Sequence, residues 1–257
     1  MKNEDILRKF GRETQLIAYR GSIAHGTFIP AGEEESSDDI DLISMHMNPV
    51  EHYLGLFKSK ETLERFEGQY DIVSYEFKKF VSMLLNCNPN IMSVLWLNKE
   101  HIIKNTFYAR AILDNKEWFL SKRVYLTYVG YAHSEIKRMT KEKQYQGYMG
   151  AKRKLLVDRI GYDSKNASHC IRLLRMCCEC LSTGNIQINR TTDVQELIDI
   201  KLGKYPLSEI LDEANGLFSI AEELYKRTEL PDKPQIDKVN EMVMGIMNDY
   251  IISNYKR

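Results

Sequence analysis

Alternating apolar and polar positions predict three β-strands in the first third of the chain, at residues 15–19, 40–46 and 70–75. Successive side chains of a strand point to opposite faces, so every second residue can enter a core. Apolar residues at helical spacing predict helices at residues 4–12, 76–86 and 91–97. We expect residues 30–37, which are rich in Pro, Gly, Glu and Ser, to form a loop.

Beyond about Thr106 the strand pattern ends and only helical patterns follow. Gly184 is placed to end one helix and Pro206 to begin another. We therefore predict an α+β protein, with a domain of strands and helices at residues 1–105 and an all-helical domain at residues 106–257. The predicted helices of the second domain cover residues 121–143, 148–160, 164–182, 207–227 and 238–255.

The charges are unevenly distributed along a chain whose formal net charge is zero. Residues 119–190 carry 14 Lys and Arg against 5 Asp and Glu, whereas residues 1–118 carry 14 against 18. A basic segment of this kind suits a triphosphate or RNA as a partner, although a solvated helix face would look the same.

Cysteine usage and hydropathy predict a cytoplasmic protein. The number of cysteines is odd, at five, and four of them lie within residues 170–180. This pattern argues against a disulfide framework and favours a reducing compartment. We expect no membrane partner, because no apolar run is long enough to span a bilayer.

Two aspartates on the second predicted strand are the strongest chemical signal. Asp39 and Asp41 alternate with the apolar Ile40 and Leu42, so both carboxylates should leave the same face of the sheet. Carboxylate oxygens are the ligands that Mg²⁺ prefers. A lone D-x-D pattern is weak evidence, because it also occurs in metal-dependent glycosyltransferases and in exposed strand-edge turns.

A Gly-Ser pair upstream and a third acid downstream make the signal more specific. Gly21 and Ser22 follow the first predicted strand, where backbone N–H groups and a hydroxyl could contact phosphates. Asp71 lies on the third predicted strand and is the best candidate for a third metal ligand. Phosphoryl-type transfer needs charge neutralised and reactants aligned, which two metal ions held by shared carboxylates can do.

These motifs resemble those of the DNA polymerase β-like nucleotidyltransferase superfamily. Within it the chain looks most like the prokaryotic and phage group associated with RNA ligases. The matching segments are GSIAHGT, SSDDIDL, YDIVSYEFKKF, NPNIMSVLW and GYDSKNASHCIRLLR. The spacer between Ser22 and Asp39 is longer than is usual in the superfamily, because PAGEEES is inserted.

The resemblance implies a small mixed β-sheet with flanking helices, followed by the helical domain. It also implies that Mg²⁺, with Mn²⁺ as an alternative, is the cofactor and that an NTP is the substrate. Asp39 and Asp41 would bind both metal ions, and Asp71 would complete the catalytic one and assist deprotonation of the attacking hydroxyl. Gly21 and Ser22 would hold the triphosphate, with Thr27 supporting the turn.

A basic helix face is a further candidate for nucleotide binding. Lys165, His169 and Arg172 recur at spacings that place them on one face of a helix. They would contact the triphosphate or the acceptor, or else form an exposed basic stripe. Zinc binding by Cys177, Cys178, Cys180 and His169 is disfavoured, because residues one and three apart on a helix converge poorly on a tetrahedral ion.

The predicted function is transfer of a nucleoside monophosphate from an NTP to a hydroxyl, with release of pyrophosphate. The acceptor could be an RNA end, a protein side chain or a small molecule, and the basic segment favours RNA. The alternatives are a non-catalytic nucleotide- or RNA-binding module and, less favoured, a D-x-D glycosyltransferase. Neither a Walker A motif nor an H-E-x-x-H motif occurs.

Overall fold

The computed structural model describes residues 3–30, 39–140 and 151–255 of the chain. The chain divides into two compact units, and neither is one continuous stretch. The first unit takes Met1–Gly21, Asp39–Ser121 and Lys233–Arg257, and the second takes Ser22–Asp38 and Lys122–Asp232. The domain boundary predicted at residues 105 and 106 stays a prediction.

The first unit contains a five-stranded mixed sheet with the strand order β3-β4-β2-β1-β5. Strands β2 and β4 run parallel, and every other neighbouring pair is antiparallel. The strands are β1 (Thr14–Tyr19), β2 (Ile40–His46), β3 (Thr62–Glu67), β4 (Tyr70–Glu76) and β5 (Ile102–Asn105). The three strands that the alternation predicts, β1, β2 and β4, are therefore confirmed and lie side by side at the centre of the sheet.

The two edge strands, β3 and β5, are not predicted by the sequence pattern. No residue of either strand is fully buried in the structure. β1, by contrast, is buried along its whole length between β2 and β5. Central strands carry the clear apolar signal because both of their faces are covered, whereas edge strands need far fewer apolar residues.

Helices make up most of the remaining described chain, and the predicted α+β class is confirmed. Short 3-10 helices cover Ser93–Trp96, Lys99–His101 and Lys116–Phe119. The α-helices are α1 (Asn3–Leu7), α2 (Gly21–Ala24), α3 (Val50–Leu54), α4 (Phe77–Leu85), α5 (Pro89–Met92), α6 (Phe107–Leu113), α7 (Arg123–Thr140), α8 (Ala151–Ile160), α9 (Ser164–Thr183), α10 (Val194–Lys201), α11 (Leu207–Arg227) and α12 (Ile236–Asn254).

Two predicted helices differ in extent from the observed ones. The helix predicted at residues 4–12 ends at Leu7, and turns lead from there into β1. The helix predicted at residues 91–97 is instead a short α5 that continues as a 3-10 helix. Most of the loop predicted at residues 30–37 lies outside the described residues.

Side chains cap two helices of the first unit. Glu76 at the end of β4 accepts a hydrogen bond from the Lys79 backbone N–H at 3.0 Å, and so caps α4. Asn88 caps α5 in the same way, through the N–H of Asn90. A cap of this kind satisfies one of the backbone donors that a helix leaves unpaired at its start.

The second unit has a helical core in which α9 packs against α7, α10 and α11. Gly184 ends α9 with a φ of 69°, the left-handed conformation expected of a glycine cap. Within the described part of the chain, no helix is both long and apolar enough to cross a membrane. Buried residues of this core are Ala132, Met139, Tyr162, Ala167, Cys170, Ile171, Leu174, Leu197, Ile200, Ile210 and Ala214.

Candidate active site

Asp41 and Asp71 lie side by side on the sheet of the first unit. They occupy paired register positions on the parallel strands β2 and β4. Their side chains remain about 30% and 27% exposed, whereas the neighbouring Ile40, Leu42 and Ile72 are buried. The alternation therefore directs the apolar side chains into the core and both carboxylates to the opposite face.

The Arg20 guanidinium bridges these two carboxylates. Its Nη2 donates a hydrogen bond to Asp71 Oδ2 at 3.1 Å and lies 3.7 Å from Asp41 Oδ1. The Arg20 backbone N–H donates to the carbonyl oxygen of Asp41 at 3.0 Å. Arg20 comes directly after β1, so the strand order places its backbone next to β2 and its side chain reaches across to β4.

Gly21 approaches Asp41 more closely than any other residue type could. It adopts a φ of +61°, which favours glycine. A Cβ added to Gly21 would also overlap Asp41 Oδ2. The Gly of the Gly-Ser pair is thus required both by the backbone conformation and by the position of the carboxylate.

Asp39 is exposed and lies one residue before β2 begins. Among the described residues, no group of three His, Cys, Asp or Glu side chains is placed to hold a metal ion. The structure therefore aligns Asp41 with Asp71, and the metal-binding role of Asp39 stays a prediction. Cys177, Cys178 and Cys180, the cysteines of the disfavoured zinc site, are free cysteines.

The chemistry of the acid pair fits a divalent cation. Mg²⁺ and Mn²⁺ prefer oxygen ligands, and two adjacent half-exposed carboxylates supply them. A positively charged group, the Arg20 guanidinium, already lies against both side chains. Asp41 and Asp71 would hold the ion, and the ion would supply charge neutralisation for a bound triphosphate.

Ser22 and Thr27 belong to the second unit, in a turn that is fixed at several points. The Thr27 backbone N–H donates to the Ser22 carbonyl oxygen at 2.9 Å. Thr27 is itself buried, and its carbonyl oxygen accepts a hydrogen bond from Lys201 Nζ at 3.0 Å. The predicted roles of Ser22 at the triphosphate and of Thr27 in supporting the turn stay predictions.

His25 anchors the same turn and orients Arg172. Its Nδ1 donates to the Ile188 carbonyl oxygen at 2.9 Å, which leaves Nε2 to accept from the Arg172 guanidinium. Burial, together with the charge of Arg172, holds the pKa of His25 well below its usual range. The imidazole is therefore neutral, in the tautomer with the proton on Nδ1.

The other two members of the predicted basic face also lie on α9. His169 Nδ1 is 3.5 Å from Glu135 Oε1, and burial lowers the pKa of His169. Burial alone would raise the pKa of Glu135, but the hydrogen bond to His169 brings it below its usual value. Lys165 is half-buried on the same helix. Nucleotide contacts by Lys165, His169 and Arg172 stay predictions.

The sequence alone assigns no role to Arg20, which bridges the acid pair, or to His25. A basic residue between a strand and a Gly-Ser pair is a usable signal for Arg20. Arg172, which contacts His25, lies 147 positions away in the sequence, so no local sequence pattern indicates this contact.

A family model described as "RlaP: RNA repair pathway DNA polymerase beta family" matches residues 6–245. The chain belongs to this family. Membership confirms the resemblance to polymerase β-like nucleotidyltransferases and supports a general role in nucleotidyl transfer.

One solved structure is similar to the chain over most of its length. It is a nucleotidyltransferase-like protein from Exiguobacterium sibiricum 255-15, with 12% sequence identity and a TM-score of 0.30. The similarity covers 96% of this chain and 79% of that one. No curated protein matches the sequence.

Proposed function

We propose that this RlaP-family protein is a metal-dependent nucleotidyltransferase that moves a nucleoside monophosphate from an NTP to a hydroxyl group. The observation that carries the proposal is the paired register of Asp41 and Asp71, with Gly21 packed against Asp41. Asp39, Asp41 and Asp71 are the proposed carboxylates of the site. Mg²⁺ is the proposed cofactor, with Mn²⁺ as an alternative.

In the proposed reaction, the acceptor hydroxyl oxygen attacks the α-phosphorus of the NTP. A bond forms between that oxygen and phosphorus, and the bond from phosphorus to the α–β bridging oxygen breaks. Pyrophosphate leaves with the electron pair of the broken bond. The acceptor hydroxyl gives its proton to a carboxylate, for which Asp71 is our candidate.

The remaining work of the site is placement rather than covalent chemistry. Phosphoryl-type transfer depends on in-line alignment and on stabilisation of charge spread over the phosphate oxygens. A divalent cation held by the carboxylates would supply most of the positive charge that stabilises it. The absence of a side chain at Gly21 leaves room for the Asp41 carboxylate, and the backbone N–H groups of the Gly-Ser turn are our candidates for contacting a phosphate.

We propose an RNA end as the acceptor. The description of the family names an RNA repair pathway, and residues 119–190 are strongly basic. A polyanion such as RNA is attracted by a basic segment of this kind. If the acceptor were a protein side chain or a small molecule instead, both RNAs in the experiment below would stay unlabelled.

The test offers each α-labelled NTP with Mg²⁺ to two RNAs that differ only at the 3′ end, one with a hydroxyl and one with a phosphate. We expect label on the hydroxyl-ended RNA alone. Asp71→Asn should abolish the labelling, and the exposed Asp114→Asn should preserve it as the charge-matched control. Equal labelling of both RNAs would overturn the 3′ hydroxyl as acceptor. Labelling unaffected by Asp71→Asn would overturn the assigned site.

A further inference from the structure

The Arg20 side chain occupies the space between the two carboxylates that we assign to the metal. One guanidinium nitrogen, Nη2, contacts both Asp41 and Asp71. The Nε atom of Arg20 is buried and has no hydrogen-bond acceptor among the described residues. The hydrogen bond to Asp71 and the ion pairs to both carboxylates thus hold this guanidinium.

The fold holds the Arg20 backbone in place beside the acid pair. Tyr19 pairs with Leu42 in the sheet, and the next residue donates its N–H to Asp41. Gly21 follows directly, so the chain turns away at this point. Arg20 is therefore always beside the acid pair, while its long side chain retains several rotatable bonds.

We propose that Arg20 is the counter-ion of the Asp41–Asp71 pair, and that a divalent metal ion must displace the Arg20 guanidinium in order to bind. This inference rests on the proposed function, because it takes these carboxylates as the metal site. A guanidinium has no lone pair to offer a metal and does not lose its proton. It therefore competes for the same oxygens instead of completing the coordination.

When no metal is present, the Arg20 guanidinium offsets the repulsion between the two carboxylates. Two like charges on adjacent strands repel each other, and an intervening cation removes that cost. The same cation weakens metal binding, because its ion pairs must first be broken. Arg20 thereby sets the metal concentration at which the site fills.

The experiment measures binding of Mn²⁺ alone, by electron paramagnetic resonance, to the full chain and to Arg20→Met. Methionine keeps an unbranched side chain and removes the charge. We expect Arg20→Met to bind Mn²⁺ about two- to fivefold more tightly than the wild type, the range that loss of a partly exposed ion pair corresponds to. The unfolding temperature of the metal-free variant should fall, and saturating Mn²⁺ should raise it by more than in the wild type.

Arg65→Met is the matched control for loss of a positive charge. Arg65 lies on β3 in register with Ile72, and so on the opposite face of the sheet from Asp71. Its ion pair is with Glu67, at 2.8 Å. We expect its Mn²⁺ affinity to equal that of the wild type.

The outcomes separate this inference from the proposed function. If the wild type binds Mn²⁺ and Arg20→Met binds it equally or more weakly, the inference is overturned. The assignment of the metal site would then still stand. A gain shared by Arg65→Met would also overturn it, because a general charge effect would then suffice. Absence of binding in both the wild type and Arg20→Met would overturn the metal site and the inference together.

Discussion

Asp41 and Asp71 share one register position on two parallel strands that are separated in sequence by β3. A side chain at each position leaves the same face of the sheet, so their carboxylates meet above it. The pairing is backbone geometry, and it does not depend on the rotamers of either residue. Each carboxylate should therefore be needed for nucleotidyl transfer.

We expect Asp41→Asn and Asp71→Asn each to lower the transfer rate by at least about a hundredfold, the order of effect that losing a metal-bound carboxylate allows. The double variant should be little worse than either single one, because residues that act as a unit are not additive. Single-turnover kinetics with saturating NTP checks this. Additive losses in the double variant would argue that the two carboxylates act separately.

Gly21→Ala should reduce both stability and activity. The positive φ costs an alanine about 1–2 kcal/mol, and its Cβ would also push Asp41 Oδ2 aside. Gly68→Ala is the control, because Gly68 has a similar φ of +65° but nothing within 4 Å of an added Cβ. Urea unfolding should show a loss in both variants, whereas only Gly21→Ala should lose transfer activity. Full activity in Gly21→Ala would contradict the close approach of Gly21 to the carboxylate.

Glu76→Ala should destabilise the first unit by about 1–3 kcal/mol. Its carboxylate is buried, caps α4 and accepts the Tyr53 hydroxyl at 2.6 Å. Glu61→Ala removes only an exposed partner of Lys79 and should change the free energy of unfolding by less than about 0.5 kcal/mol. Chemical denaturation of both variants provides the comparison, and equal losses would refute the capping role.

Acid should destabilise the protein partly through His25. Its pKa in the folded chain lies well below the ordinary value of 6.5, so the unfolded chain binds a proton that the folded chain does not. The stabilisation is complete above that ordinary value and is lost as the pH falls from there toward the lower, folded value. Acidification should lower the free energy of unfolding of His25→Gln by less than that of the wild type. The difference should be up to about 1.4 kcal/mol for each pH unit. Identical pH profiles for the two proteins would show that His25 is not the group responsible.

The centre of the fold could be predicted from the sequence because burial there leaves a pattern. Strands β1, β2 and β4 are rich in apolar residues, and the long helices α9 and α11 follow their predicted ranges closely. Strand β5 has four residues, and β3 exposes three of its six side chains while the other three are half-buried. Neither has to be apolar, so neither was predicted.

Part of the candidate site could also be predicted from the sequence. The common face of Asp41 and Asp71 follows from the parity of residues along two strands, although their shared register depends on a parallel pairing that local sequence does not specify. The bridging position of Arg20 depends on three strands lying next to one another. Such a contact depends on the sheet topology and cannot be predicted from local sequence patterns.

The central claim is that the protein transfers the α-phosphorus of an NTP at the Asp41–Asp71 pair. Parallel reactions with α-labelled and γ-labelled NTP test it most directly. We predict that the α label enters the acceptor while the γ label appears in pyrophosphate in equal amount, and that Asp71→Asn does neither. Transfer of the γ label to the acceptor, or undiminished transfer by Asp71→Asn, would contradict the account.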